Sequence, residues 1–482
     1  MKREFASNIA LLILINLLIK PAYIFGVDRS VQNLVGAEDF GIYFALYNFA
    51  FLFQIVNDFG IQNFNNRHIA RHPHLLEKYF PHFLTLKGML GLTYLVLVLL
   101  GALLAGYPPG ILPFLFWIGF NWMLNALLLY LRSNVSGLGY YRTDSLLSVL
   151  DRFLMILVLG PVLLVPAWRS RFDIHDFVYA QTLSLGVACL IAFRIGRRKI
   201  QAWRVRFDKR LMAVILRQSY PFALAVLLMT VYTRIDGVMI ERMLDNGRTE
   251  AGIYASAYRL LDAANMMGFL FAGLLLPMFS RMLKAGEPVG PLTGMAFQWL
   301  FAGAVTLAMA VGFFSEPIMR SLYVTGDAYS GQILVWLMAA FVAMAGTYIY
   351  GTLLTAHGNM RPMNLIFIAG IALNVLLNAL LIPGRGALGA AVATAFTQWA
   401  TLLAQVALAG RQFGLTARAG ALVRLAGFAS GMAASCYLLQ NLAAGPWIVK
   451  FLACAPAGLL LAFTFRLLQL RDFRVLLPSG RD

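Results

Sequence analysis

Charge is what this sequence has least of. Asp, Glu, Lys and Arg make up 12% of its 482 residues, while 60% are apolar. An ordinary soluble domain carries about 25% charged residues, so a soluble globular protein of this length is excluded. Acids are the scarcer sign, 21 against 39 Lys and Arg. Cysteine is nearly absent too. The three present, Cys189, Cys436 and Cys454, lie in apolar blocks, and an odd number without ligand spacing excludes a disulfide framework and a cysteine metal site. Paired carboxylates, a nucleotide-binding glycine loop and a nucleophile constellation are all missing, so no catalytic centre and no cofactor is indicated.

What fills the chain instead is long apolar runs, with a mean hydropathy of +0.74. They come as blocks rather than as alternating residues, which indicates an all-α polytopic membrane protein and not a β-barrel. Blocks of about twenty apolar residues, bounded by charge, Pro or Gly, give about fourteen spans. The first, Ile9–Ile19, follows Lys2 and Arg3 as a signal peptide would. It is followed by Lys20-Pro21-Ala22 and not by a small-residue cleavage site, so it reads as a retained helix.

The net charge of +18 reflects placement and not an acidic or nucleic-acid partner. With the amino terminus inside, 26 Lys and Arg fall in cytoplasmic segments and 7 in the opposite ones. That bias predicts both termini in the cytoplasm. Lys20, Lys87, Arg152, Arg234, Arg259 and Lys450 remain within or at the edges of spans.

Residues 36–47, GAEDFGIYFALY, and 247–258, GRTEAGIYASAY, share the pattern G-x-x-[DE]-x-G-I-Y-x-x-x-Y. The copies open the second and eighth spans, six apart and therefore an even offset, so both face the same way. Two parallel six-helix halves follow: an amino-terminal bundle over 1–195 and a carboxy-terminal one over 217–410. The linker, 196–216, places Ile200, Trp203, Phe207 and Leu211 on one helical face with Arg and Lys around the rest. It predicts an amphipathic helix on the anionic cytoplasmic surface. Residues 411–482 hold two additional helices and a cytoplasmic tail.

The stretch LLTAHGNMRPMNLIFIAGIALNVLLNALLIPGRGALGAAVAT (353–394) resembles the polysaccharide transporter branch of the multidrug/oligosaccharidyl-lipid/polysaccharide (MOP) superfamily. So do the span carrying Arg-Ile-Asp, the Ala-Tyr-Arg-Leu at 257–260 and VGAEDFGIYFALYNFAFLFQIVNDFGI near the amino terminus. The resemblance covers about residues 1–410; the last two spans match only in hydropathy. It implies a Wzx-type flippase in the bacterial inner membrane. Such a protein moves undecaprenyl-diphosphate-linked oligosaccharide to the outer leaflet by alternating access in a cavity between two bundles, for surface polysaccharide such as O-antigen. Its partners would be that lipid-linked oligosaccharide, membrane lipids, a coupling proton or sodium ion, and polysaccharide-assembly proteins.

An ionisable residue inside a span marks a functional site by default. A lipid-linked sugar needs cations for its diphosphate and polar or aromatic groups for its rings. The cation candidates are Lys20, Arg234 and Arg259; Asn374 and Asn378, four apart on one face, suit sugar hydroxyls or helix–helix hydrogen bonds. Asp58, Asp236 and Asp262 are candidates for coupling or ion pairing. Asp262 lies three residues from Arg259, and Asp58 also fits an interfacial cap. Arg234 and Asp236 project about 200° apart on a helix, so each needs its own partner. Asp151-Arg152 reads as the interfacial opening of the fifth span. The histidines of 65–82, including His68 and His72, read as a solvated basic loop, because Pro73 ends any helix that could hold a metal.

A lipid II flippase and a MATE-type cation or drug antiporter are the rival transporters. The antiporter would favour an acid-lined amino-terminal half, against the cations found here. A membrane glycosyltransferase or polymerase would need a larger extramembrane loop. The charge bias itself is testable. Cysteines placed at Arg204 and Arg418 should resist an impermeant outside reagent, and one at Asp327 should react. Outside labelling at Arg204 would reverse the orientation.

Overall fold

The computed structural model describes residues 15–16, 18–59, 61, 76–197, 209–358, 360–415, 419–441 and 444–469. Among them every regular element is helical. Inside a bilayer only a helix or a closed barrel satisfies its own backbone hydrogen bonds, and the apolar blocks carry no period-two alternation. Among the described residues, ten helices are long and apolar enough to cross a membrane by length and composition.

The chain divides into two compact units, residues 1–252 and 253–482. The first holds a π-helical run, Ala22–Asp28, that leads into α1 (Arg29–Leu52) and α2 (Gln54–Asp58), then α3 (Leu76–Leu104). It continues with α4 (Leu112–Gly137), α5 (Tyr141–Leu164), α6 (Ile174–Arg197) and α7 (Lys209–Met243). α7 packs on α1. The boundary by contact therefore falls at Gly252, whereas the repeat divides the chain at 196–216; one groups helices by what they touch, the other by sequence order.

α8 (Gly247–Ala285) starts in the first unit and runs into the second. There follow α9 (Gly290–Phe313), α10 (Ser315–Leu322), α11 (Ala328–His357), α12 (Met360–Phe413), α13 (Ala419–Asn441) and α14 (Trp447–Thr464). α11 begins with a capping box. The Asp327 carboxylate accepts from Ser330 N at 2.8 Å and the Ser330 hydroxyl accepts from Asp327 N at 2.8 Å, which satisfies two of the donors a helix start leaves open.

α12 is one helix by hydrogen bonding but two by direction. At 54 residues it would run about 81 Å if straight, far beyond a hydrocarbon core of about 30 Å. Gly386 breaks it with φ 58°. Beyond the break Gly370 faces Thr401 and Gly389 lies against the Leu381 carbonyl, so the second half folds back along the first.

The repeat has a structural meaning. Gly36 opens the first copy with φ 88°, a left-handed conformation that favours glycine. Gly41 then lies against the carbonyl of Arg248, and Gly252, its counterpart in the second copy, lies against the carbonyl of Ala37, the counterpart of Arg248. The two stretches thus touch reciprocally within the first unit. Gln32 Nε2 donates to Gly252 O at 2.8 Å across the same contact. The shared tyrosines do equivalent work, each inside its own unit: Tyr43 Oη accepts from Gln181 at 2.9 Å, and Tyr254 Oη lies 3.4 Å from Thr394 Oγ1.

A methyl on Gly41 or Gly252 would stand 1.7 or 1.9 Å from a backbone oxygen, so the helices must part. Gly41→Ala and Gly252→Ala should each cost about 1–3 kcal/mol by overpacking, read as a lower melting temperature and lower membrane abundance. Gly88→Ala, which meets nothing within 4 Å, should match the parent protein.

Candidate functional site

Lys20 is placed one residue before the helix geometry changes. Pro21 caps the π-helical run Ala22–Asp28, and such insertions are frequent at functional sites because they re-aim the side chains that follow. Tyr23, in that run, is buried, and the Arg152 guanidinium sits over its ring at 4.7 Å from the centroid. Lys20 lies in the field of Arg152, Arg132 and Asp151. Arg152 is held by Asp151 at 3.4 Å and Arg132 by Asp144 at 2.9 Å. Three cations against two carboxylates leave this part of the first unit electropositive, which suits an anionic ligand.

The sequence reading placed Asp151-Arg152 at the opening of the fifth span. The structure corrects this: α5 begins at Tyr141, nearly three turns earlier, so the pair sits in mid-helix. The charges Arg142 and Asp144 disguised the first turns as loop. Arg29 is a further cation that no sequence motif marks. Its Nε is buried with no partner among the described residues, a second donor left for a ligand.

Arg234 occupies a different part of the same unit, on α7. Its guanidinium faces the Phe51 ring at 5.7 Å. Phe51 continues into an aromatic wall: Trp122 at 4.3 Å, and Tyr47 against Trp122 at 4.7 Å. Trp122 Nε1 donates to Tyr47 O at 3.2 Å, which fixes the indole. A planar cation beside fixed aromatic faces can hold a phosphate with one and sugar rings with the other. Asp236 is 1% exposed while Arg234 is half-buried, so the two do occupy different environments, as their spacing requires. Next to Asp236, Gly237 lies against Phe44 and Asn48 and brings α7 close to α1.

Asp58 has a partner that sequence spacing could not supply. α2 is bounded by Phe53 at φ −88°, ψ 0° and by Phe59 in the left-handed region at φ 48°. That short helix presents Asp58 to Lys87 of α3, which is ion-paired to it and also donates to Asn57 O at 3.3 Å. Asn57 in turn donates to Trp122 O at 3.0 Å, linking the pair to the aromatic wall.

In the second unit Arg259 and Asp262 pair at 4.0 Å along α8. Asn378 donates to Asn374 Oδ1 at 3.1 Å, and both are fully buried. The asparagines therefore bind each other within one helix. Cys436 and Cys454 are free thiols with sulfurs 3.6 Å apart. His68, His72 and most of the linker helix lie outside the described residues. Among the described residues no group of His, Cys, Asp and Glu could hold a metal.

These features define a polytopic helical membrane protein, and its fold is shared with solved members of the MOP superfamily. The lipid II flippase MurJ, in an inward closed conformation, matches with a TM-score of 0.71 at 15% identity, over 96% of this chain and 100% of that one. An outward-facing multidrug resistance MATE family transporter of the MOP superfamily matches with a TM-score of 0.54 at 17% identity, over 84% and 93%. A MOP superfamily transporter from Pyrococcus furiosus gives 0.58 at 16%, over 84% and 94%. By sequence, the family described as polysaccharide biosynthesis protein matches residues 5–283, more than half of the chain, and the chain belongs to that family. A protein named "putative O-antigen transporter" from Shigella dysenteriae is 24% identical over 249 residues, 50% of this chain and 60% of that protein's length.

The buried ion pair yields an asymmetric expectation. The Lys87 side chain is 2% exposed and that of Asp58 27%. Asp58→Asn leaves a buried cation unpaired and should cost about 3–5 kcal/mol, whereas Lys87→Met leaves a carboxylate that water reaches and should cost less. The double variant should recover most of the loss, measured as melting temperature of the purified protein.

Proposed function

We propose that the protein is a flippase for undecaprenyl-diphosphate-linked oligosaccharide in a bacterial inner membrane, serving surface polysaccharide assembly. The observation that carries this reading is the presence, inside one membrane unit, of several cations and a fixed aromatic wall. Lys20 with Arg152 and Arg132, and Arg234 against Phe51 and Trp122, are the groups a diphosphate and a sugar would use. Membership of the polysaccharide biosynthesis family and the likeness to a putative O-antigen transporter support the same reading.

In this proposal Arg234 and Lys20 serve the diphosphate from the first unit, whose aromatic wall carries the sugar, and Arg259 is the cation that the second unit offers an anionic ligand. Asn374 and Asn378 reach the glycan only in a state where their mutual hydrogen bond opens. Asp236, buried beside the α1–α7 contact, holds α7 or carries the coupling proton or sodium ion; Asp58 and Asp262 act as ion-pair partners. Alternating access moves the headgroup, and the lipid tail stays in the bilayer. The proposed topology leaves both termini in the cytoplasm.

The test is a deletion strain. Loss of the protein should leave lipid-linked oligosaccharide on the cytoplasmic leaflet while glycosyltransferase activity in membrane extracts is unchanged. Lost extract activity restored by the purified protein would establish an enzyme instead. Rescue of cells depleted of their lipid II flippase would move the substrate to the peptidoglycan precursor. Within that strain, Arg234→Gln should weaken substrate handling about 10- to 100-fold at normal abundance, as expected for a charge-assisted hydrogen bond worth about 1.5–3 kcal/mol. If Arg234→Gln removes the protein from the membrane, and the double variant with Asp236→Asn restores abundance and export, Arg234 is a structural partner and not a ligand group.

A further inference from the structure

The second half of α12 carries Thr394, Thr397, Gln398, Thr401, Gln405 and Gln412, all within a stripe of about 100° on a helix of 3.6 residues per turn. From end to end the stripe runs about 27 Å, nearly the thickness of a hydrocarbon core of about 30 Å. Thr397, Gln398, Thr401 and Gln405 are at most 3% exposed. Thr397 Oγ1, Thr401 Oγ1, Gln398 Oε1, Gln412 Oε1 and both amide atoms of Gln405 find no protein partner among the described residues. Interiors pair nearly all such groups.

Threonines elsewhere in this chain show a common helical use of the hydroxyl, at Thr293 a buried one. Thr85, Thr182, Thr293, Thr352, Thr355 and Thr464 each donate to the carbonyl four residues back. Thr397 and Thr401 forgo that bond. Glycine lies opposite the stripe at two points: a Cβ on Gly370 would stand 3.2 Å from Thr401 Oγ1, and one on Gly351 3.1 Å from Gln405 Oε1. At these two points the polar atoms face a residue without a side chain. The set bears no fixed charge, which fits a neutral ligand that both donates and accepts.

We propose that this seam binds a file of water molecules through the second unit. Water satisfies hydroxyls and amides together, and a buried water typically bonds about three polar groups. The file gives the unit a hydrated path, ending at the half-buried Gln412, along which hydrogen-bonded groups can relay a proton. The inference does not depend on which headgroup the protein moves.

Radiolytic hydroxyl-radical footprinting of the full-length protein in detergent tests it, because bound water labels the side chains beside it. Leu402, 5% exposed, should be oxidised, whereas Leu128 and Leu131 in the dry core of the first unit should not. Thr401→Val, and the triple variant Thr397→Val, Thr401→Val, Gln405→Met, should lose the Leu402 label and melt at a lower temperature, because the remaining waters lose partners. An unlabelled Leu402 in the parent protein would overturn the proposal, as would a higher melting temperature in Thr401→Val, since a dry seam gains when its unpaired polar atoms are removed.

Discussion

A polar group placed in hydrocarbon must find a partner, and the architecture of this protein follows from how each one does. The backbone meets that demand by coiling, which makes every described regular element a helix. Side chains have no such automatic solution. Lys87 takes Asp58, Arg152 takes Asp151 and the face of Tyr23, and Asn121 takes Val178 O and Gln181. Each of these contacts joins neighbouring turns or helices, so pairing the polar groups also fixes the packing.

Close backbone approach is the second constraint, and the repeat supplies it. The glycines at 41 and 252 let the two copies meet at their backbones, where ordinary side chains would hold helices 8–10 Å apart. Small residues serve this purpose in membranes because packing, and not water exclusion, brings helices together. The tyrosines two positions on then tie each copy to a helix of its own unit, through Gln181 in one and Thr394 in the other. The repeat is a packing device used twice.

The distribution of polarity differs between the units in a way that bears on function. In the first, charges sit beside aromatic rings, a combination suited to an anionic, ring-bearing headgroup. In the second, α12 carries neutral amides and hydroxyls along one stripe, with the paired Arg259 and Asp262 on α8. Fixed charge and neutral polarity cost different amounts to bury, and a chain with so little charge overall has placed each kind selectively.

Hydropathy determined the class and the helical content, since burial in hydrocarbon leaves a local signature in composition, and a shared residue pattern marked the repeat. The i, i+3 pairing of Arg259 with Asp262 was legible as well, because helical spacing is a local property. Partners across helices were not. That Asp58 meets Lys87, that Arg234 lies on Phe51, and that Arg152 stands over Tyr23 depend on which helices touch and at what rotation. The π-helical turn after Pro21 and the left-handed Phe59 re-aim side chains in ways no periodicity encodes. The sequence by itself established that these charges had to be accommodated; only the tertiary structure decided by what, because a partner's identity is set by three-dimensional proximity and not by distance along the chain.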